Sequence, residues 1–236
     1  MAKVHEAVVL AGGFGTRLRG VVDDVPKPLA PVAGRPFLAW LLDELARQGL
    51  RRVVLATGYR GEQIEAALGR DWRGMSLEYS REPEPLGTGG AIALAMQCVA
   101  GEACFVLNGD TWAELDYAAF DRKTADVPLG IALAHVSDVA RYGAVLVEGD
   151  RVTGFSEKGM SGPGFINAGV YRVSRSLLHD FPVGMTFSFE RDVLVPVAGR
   201  EVVVGYTGTE GFIDIGVPED YRRAQTQFAA LGVVRE

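Results

Sequence analysis

With 236 residues, nearly half of them apolar, the chain can bury the core of one large α/β domain and requires no second core. Its formal net charge of −6 argues against general affinity for nucleic acid or an anionic membrane surface, so any anion it takes must be held by local groups. Two cysteines, Cys98 and Cys104, are too few for a disulfide framework, no apolar run is long enough to span a membrane, and no signal-peptide pattern precedes the first strand. The expectation is a cytoplasmic protein with buried thiols, in which His5, His135 and His179 are too scattered for a metal site.

In chain order, Ala7-Val8-Val9-Leu10 reads as a buried strand running into a glycine-rich turn, Ala11-Gly12-Gly13-Phe14-Gly15-Thr16-Arg17. Backbone without side chains lets amide groups crowd around a polyanion, and Arg17 and Arg19 can neutralise phosphate charge. The spacing is not that of a dinucleotide-binding fingerprint, because Leu18 stands where its last glycine would be, nor that of a P-loop. Lys27 lies between Pro26 and Pro28, so it is excluded from a regular helix and held on stiff backbone, a setting that a merely solvated lysine does not need.

Pro36 to Gln48 carries Phe37, Leu38, Leu41, Leu42 and Leu45 at helical spacing, followed by Gly49. Strands are expected over 52–57, 76–80 and 104–107, with helices over 62–68 and 89–99 between them, a βαβα rhythm. The apolar run Cys104-Phe105-Val106-Leu107 suits a central parallel strand covered on both faces, and Asn108-Gly109-Asp110 puts a carboxylate at its C-terminal end, where open α/β sheets bind ligands. Beyond it, 129–136, 144–148, 151–157 and 165–173 read as antiparallel strands forming a lid or platform over the first half. Glu148-Gly149-Asp150-Arg151 reads as a hairpin turn. Short helices over 174–180 and 188–195, a strand over 201–206 and a closing helix from Pro218 to Leu231 complete the chain. The fold class is therefore α/β: a Rossmann-like doubly wound mixed sheet with a small antiparallel subdomain. The whole chain, 1–236, forms one domain, with a nucleotide-binding half over roughly 1–115 and a second half over 116–236.

Asp214 lies among apolar residues and glycines in Phe212-Ile213-Asp214-Ile215-Gly216, a costly setting for a charge without a partner. Asp110 and Asp214 together can hold one Mg²⁺ along with substrate phosphates. Asn167-Ala168-Gly169 reads equally as a strand with a bulge and as a site that exposes a polar group. Glu82 offers acceptor oxygens, although its plain reading is an exposed glutamate. Pro85-Leu86-Gly87-Thr88-Gly89-Gly90 reads as a loop that caps a helix.

Leu10-Ala11-Gly12-Gly13-x-Gly15-Thr16-Arg17-Leu18 with Pro26-Lys27-Pro28 resembles the signature of sugar-1-phosphate nucleotidyltransferases, the pyrophosphorylases that make nucleotide sugars. The resemblance continues in order through Pro85 to Gly90, Asn108-Gly109-Asp110, Glu157-Lys158, Asn167 to Tyr171 and Asp214 to Tyr221. In detail the motifs look most like those of bacterial D-glycero-D-manno-heptose 1-phosphate guanylyltransferases. The resemblance implies a nucleoside triphosphate, GTP, and a sugar 1-phosphate, that of the heptose, as substrates, with Mg²⁺ as cofactor. It implies that Leu10, Ala11, Gly12, Gly13, Gly15, Thr16, Arg17 and Lys27 hold the nucleotide together with Pro85, Gly87, Thr88, Gly89 and Asp110. Tyr142, Gly143, Glu157, Lys158 and Asn167 would hold the sugar phosphate, and Arg17, Lys27, Asp110, Lys158 and Asp214 would carry the chemistry.

The short length further implies no appended acyltransferase or regulatory domain. Uridylyl or thymidylyl transfer to a hexose or amino-sugar 1-phosphate stays open, because short uridylyltransferases share these motifs. A glycosyltransferase would usually carry Asp-x-Asp for its metal, absent here, and a non-catalytic sugar-nucleotide sensor predicts loss of the charged site residues, which are present. The sequence sets no oligomeric state.

Overall fold

The structure, a computed structural model, describes residues 3–13, 25–156 and 159–235. Among the described residues the chain opens with β1 (Glu6–Leu10), a 3-10 turn at Lys27–Leu29, and the short hairpin β2 (Pro31–Val32) and β3 (Arg35–Pro36). Helix α1 (Phe37–Arg47), β4 (Arg52–Thr57), α2 (Gly61–Leu68), β5 (Asp71–Trp72), β6 (Met75–Arg81) and α3 (Gly87–Ala95) follow. Then come β7 (Ala103–Asn108), β8 (Thr111–Glu114), α4 (Tyr117–Thr124), β9 (Leu129–Val136), β10 (Val145–Glu148), β11 (Arg151–Phe155) and β12 (Gly164–Ser174). A 3-10 turn at Arg175–Leu178, a π-helix at Phe189–Leu194, α5 (Val195–Ala198), β13 (Val203–Thr209), β14 (Gly211–Asp214) and α6 (Pro218–Arg235) complete it.

Among the described residues, ten strands form one sheet in the order β10-β11-β13-β9-β12-β7-β1-β4-β6-β5. Its centre, β7-β1-β4-β6, is parallel, whereas β12 joins antiparallel to β7 and to β9. The expected placement of the second-half strands over the first half is thus corrected: they continue its sheet edgewise. The physical reason is that β7 is buried on both faces and needs a hydrogen-bonding neighbour on its free edge, which β12 supplies from Val170 opposite Leu107 to Ser174 opposite Ala103. The elements that the sequence did not announce are mostly two to four residues long, too short to display a period. Helix α4 was also missed, although Asp116 caps it by accepting the amides of Ala118 and Ala119.

Both faces of the sheet are covered, which is why the central strands are apolar throughout rather than alternating. Ala7, Val9, Val53, Leu55, Phe105 and Leu107 face one core with α1, α2, α4 and α6. Val8, Val54, Ala56, Cys104 and Val106 face the other, with α3, the π-helix and α5. In the first core Phe228 of α6 meets Phe37, Trp40 and Trp112 edge-on, with ring centroids 5.1–5.7 Å apart. Cys104 is buried as expected, but Cys98 is only half-buried, and both are free thiols. No helix among the described residues is long and apolar enough to cross a membrane.

Candidate active site

Strands β1, β4, β6 and β7 run parallel, so their C-terminal ends share one edge, the edge at which open α/β sheets take ligands. A cavity of about 480 Å³ opens there. Glu82 lines it just after β6, Ala56 near the end of β4, Leu10 at the end of β1, Asn108 at the end of β7, and Tyr171 from β12. From β6 to β12 is four strand spacings, about 19 Å at ~4.8 Å each. The trough is therefore long enough for two substrates laid end to end.

Lys27 and Asp110 sit between its ends. The prolines around Lys27 produce the 3-10 turn, closed by Leu29 N to Pro26 O at 2.8 Å and Ala30 N to Lys27 O at 3.0 Å. The turn aims Lys27 into the cavity, where its ammonium donates to Asp110 Oδ2. Asp214 ends β14, which pairs with β8 so that Asp214 lies opposite Thr111, and the Ile215 amide donates to Asp110 O at 3.1 Å. A Cβ on Gly216 would stand 2.6 Å from Lys27 Nζ and 2.7 Å from Asp214 Oδ1, so these two groups flank one point. Two carboxylates from distant parts of the chain thus converge on a position that already holds a cationic group. Oxygen donors of this kind suit a hard divalent cation that keeps waters and phosphate oxygens as its remaining ligands.

Gly109 is what allows this approach. Its amide donates to Leu10 O at 2.9 Å, and a Cβ there would lie 2.5 Å from the same oxygen. Gly109→Ala must therefore spread the ends of β1 and β7 and carry Asp110 away from Lys27. A displacement near 1 Å at reacting groups can cost on the order of 10²-fold. Turnover of this variant is expected to fall about 10- to 100-fold in an activity assay, with the protein still folded by circular dichroism.

At the β6 end, Glu82 is half-buried rather than exposed. Its Oε2 accepts the Leu86 amide at 2.8 Å, while Oε1 lies 3.0 Å from where a Gly12 Cβ would be, so a side chain at residue 12 would collide with it. Burial pushes the Glu82 carboxyl upward from its ordinary range, partly offset by the Leu86 hydrogen bond. Gly12, Gly13, Pro85, Gly87 and Thr88 line the same region. Ala11 lies just behind it, its amide bonded to Ala56 O at 2.8 Å, and Gly89 is turned to Phe187, whose carbonyl accepts its amide at 3.0 Å.

At the β12 end the expected bulge is present: register shifts between Asn167 and Tyr171, and Gly169 takes φ +71°. Asn167 Oδ1 accepts the Gly169 amide at 2.9 Å, and Nδ2 donates to the Tyr171 hydroxyl at 2.6 Å and to Glu190 Oε1 at 3.3 Å. Tyr142 and Gly143 do not line the cavity. Tyr142 packs edge-on against Phe212 and donates to Asp220 Oδ2 at 3.5 Å, beside the Arg141–Asp220 ion pair. Gly15, Thr16, Arg17, Glu157 and Lys158 lie outside the described residues.

The sequence model of the family described as nucleotidyl transferase matches residues 6–230. The chain belongs to that family. This nucleotidyl transferase is 41% identical over 224 residues to D-glycero-alpha-D-manno-heptose 1-phosphate guanylyltransferase of Aneurinibacillus thermoaerophilus, covering 94% of this chain and 97% of that one. It is 39% identical over 220 residues to the protein of the same name from Campylobacter jejuni subsp. jejuni serotype O:2, covering 92% and 96%. Among solved structures, HddC from Yersinia pseudotuberculosis complexed with GMP-PN superposes with a TM-score of 0.85 at 39% identity, covering 95% of this chain and all of that one.

Several cavity residues of this nucleotidyl transferase carried no assignment in the sequence reading. Asn108 and Tyr171 stood inside quoted motifs, so a signal existed for both. Ser188, Phe189 and Glu190 also line the cavity, yet their segment read only as a short helix. It reaches the site because the Phe189 amide donates to Thr88 Oγ1 at 2.9 Å, a contact between segments 101 residues apart.

Proposed function

We propose that the protein transfers GMP from GTP to D-glycero-α-D-manno-heptose 1-phosphate, forming GDP-heptose and pyrophosphate for surface polysaccharide synthesis. The observation that carries the reading is the Lys27–Asp110 pair in a cavity with different polar groups at its two ends. Both curated relatives described above bear the name of this reaction.

A phosphate monoester has its second pKa near ~6, so the sugar phosphate oxygen is largely ionised at neutral pH and requires no general base. That oxygen attacks the α-phosphorus, forming one P–O bond while the bond from the α-phosphorus to the bridging oxygen breaks and its electron pair leaves with pyrophosphate. The barrier is repulsion between two polyanions, so the protein must align them and supply positive charge. In this reading Lys27 steadies the α-phosphate, Arg17 the departing phosphates and Lys158 the nucleophilic phosphate. Asp110 and Asp214 would hold Mg²⁺, which when bound supplies further positive charge to the triphosphate. Glu157 would accept sugar hydroxyls, with Asn167 bracing the same end through Tyr171 and Glu190.

Guanine is favoured by Glu82. The Watson–Crick edge of guanine offers two donors side by side, N1–H and N2–H₂, and an ionised carboxylate is the acceptor that meets both. Glu82→Gln offers one acceptor and one donor, so its kcat/KM for GTP is expected to fall about 10- to 100-fold, while that for UTP or dTTP does not. Protonating Glu82 has the same effect as the amide. GTP selectivity is therefore expected to weaken as pH falls through the raised Glu82 pKa, an inflection that the Gln variant lacks.

The deciding experiment measures pyrophosphate release with each of the four NTPs against a panel of sugar 1-phosphates. GTP with the heptose 1-phosphate should be the fastest pair. Release with no pair would overturn the assignment.

A further inference from the structure

We propose that Glu190, braced by Asn167, reads the hydroxyls of the sugar 1-phosphate and so helps to set sugar specificity. The inference rests on the reading above and adds a residue to the acceptor end of its site.

Glu190 is the second residue of the π-helix Phe189–Leu194. Such wide turns are frequent at functional sites, because the extra residue displaces a side chain from the regular helical path. The backbone here is tied down: the Phe189 amide donates to Thr88 Oγ1, Asp192 Oδ2 accepts the Ser188 amide at 2.8 Å, and Ser188 Oγ accepts the Arg191 amide at 3.3 Å. The carboxylate therefore projects into the cavity from a fixed base while its side chain stays exposed.

Among the described residues no cation pairs with Glu190. Its neighbour Arg191 is instead engaged with Asp192 at 2.9 Å. The hydrogen bond it receives is from a neutral amide, Asn167 Nδ2, at 3.3 Å. Its charge also reaches Tyr171, whose hydroxyl is pushed upward first by burial and then by Glu190. A carboxylate lining a cavity, with lone pairs left over and a neutral donor holding it in place, is suited to accept hydroxyl groups.

Position identifies whose hydroxyls these are. Glu190 contacts Asn167 in β12, whereas Glu82 follows β6, and the Lys27–Asp110 pair lies near the end of β7 between them. With the phosphates at the Lys27–Asp110 pair and the base at the β6 end, the group at the β12 end is the sugar of the second substrate. A sugar offers neighbouring hydroxyl donors that one carboxylate can engage in pairs.

Steady-state kinetics of the full chain and its Glu190→Gln and Glu190→Ala variants, with GTP and the heptose 1-phosphate each varied, tests this. KM for the sugar 1-phosphate should rise about 10- to 100-fold, the loss of one or two charge-assisted hydrogen bonds, with KM for GTP within about twofold of wild type. Deoxy analogues of the sugar 1-phosphate provide the second readout. Removing the hydroxyl that donates to Glu190 should penalise the wild type and leave the Ala variant unaffected. An active wild type whose variants show unchanged sugar KM, or a rise confined to GTP, overturns the role of Glu190 alone. A wild type that turns over no pair of substrates overturns the transferase reading itself, and this inference with it.

Discussion

Lys27→Met is expected to lower turnover about 10²- to 10³-fold while leaving the fold in place. The side chain is 15% exposed, close to Gly216, and its ammonium donates to Asp110 in the cavity. Methionine keeps the length and most of the volume, so no cavity opens and the prolines still set the turn. What disappears is a positive charge held in place before substrate arrives. Preorganised charge of this kind is worth roughly 10²- to 10³-fold per donor at sites of developing negative charge. Asp110, 35% exposed, can be rehydrated when its partner is lost, so the stability change should stay within about 1 kcal/mol. Lys27→Arg should restore little, because a planar fork is larger than an ammonium and the Gly216 backbone leaves it no room. Pyrophosphate release and thermal unfolding measured on the same preparations check both halves. Activity within threefold of wild type in the Met variant would remove Lys27 from the reaction.

The parts of this site that could be read from the sequence are those where one residue breaks a local rule. Lys27 between prolines, Asp214 in an apolar run and Asp110 after a buried strand each stand out, and the structure brings all three to one place. The central strands were legible for a related reason: burial on both faces leaves an uninterrupted apolar run. Pairing was not legible, because β12 carries the same apolar residues whether it lies over the sheet or beside β7. Its place is decided by backbone hydrogen bonds, which leave no side-chain pattern. Glu190 was invisible for another reason. An exposed glutamate in a short helix looks solvated, and only the contact of its segment with the start of α3 carries it into the cavity.

The largest stability loss is expected away from the substrates, at Asp121. Arg172 of β12 donates from Nε to Asp121 Oδ1 at 2.8 Å, and Asp121 Oδ2 accepts the Val4 amide at 3.0 Å. The two residues are 7% and 5% exposed, so water cannot replace either partner. Asp121→Ala leaves a guanidinium that does not deprotonate and a buried amide without its acceptor. Removing one partner of a buried pair costs about 3–5 kcal/mol, which for a chain of this size lowers the melting temperature by about 6–20 °C. Replacing both partners, Asp121→Leu with Arg172→Met, removes the stranded charge and should recover most of that loss. The remaining deficit is the Val4 amide, about 1–3 kcal/mol. This pair also ties α4 and β12 to the residues that lead into β1, and β1 delivers Leu10 and the glycine turn to the cavity. Asp121→Ala should therefore lose activity only as it unfolds: well below its transition kcat stays within about twofold of wild type, and on warming the two fall together. A variant that melts with the wild type would show that the pair holds nothing. One that melts early but is already inactive in the cold would instead place Asp121 in the working geometry of the site.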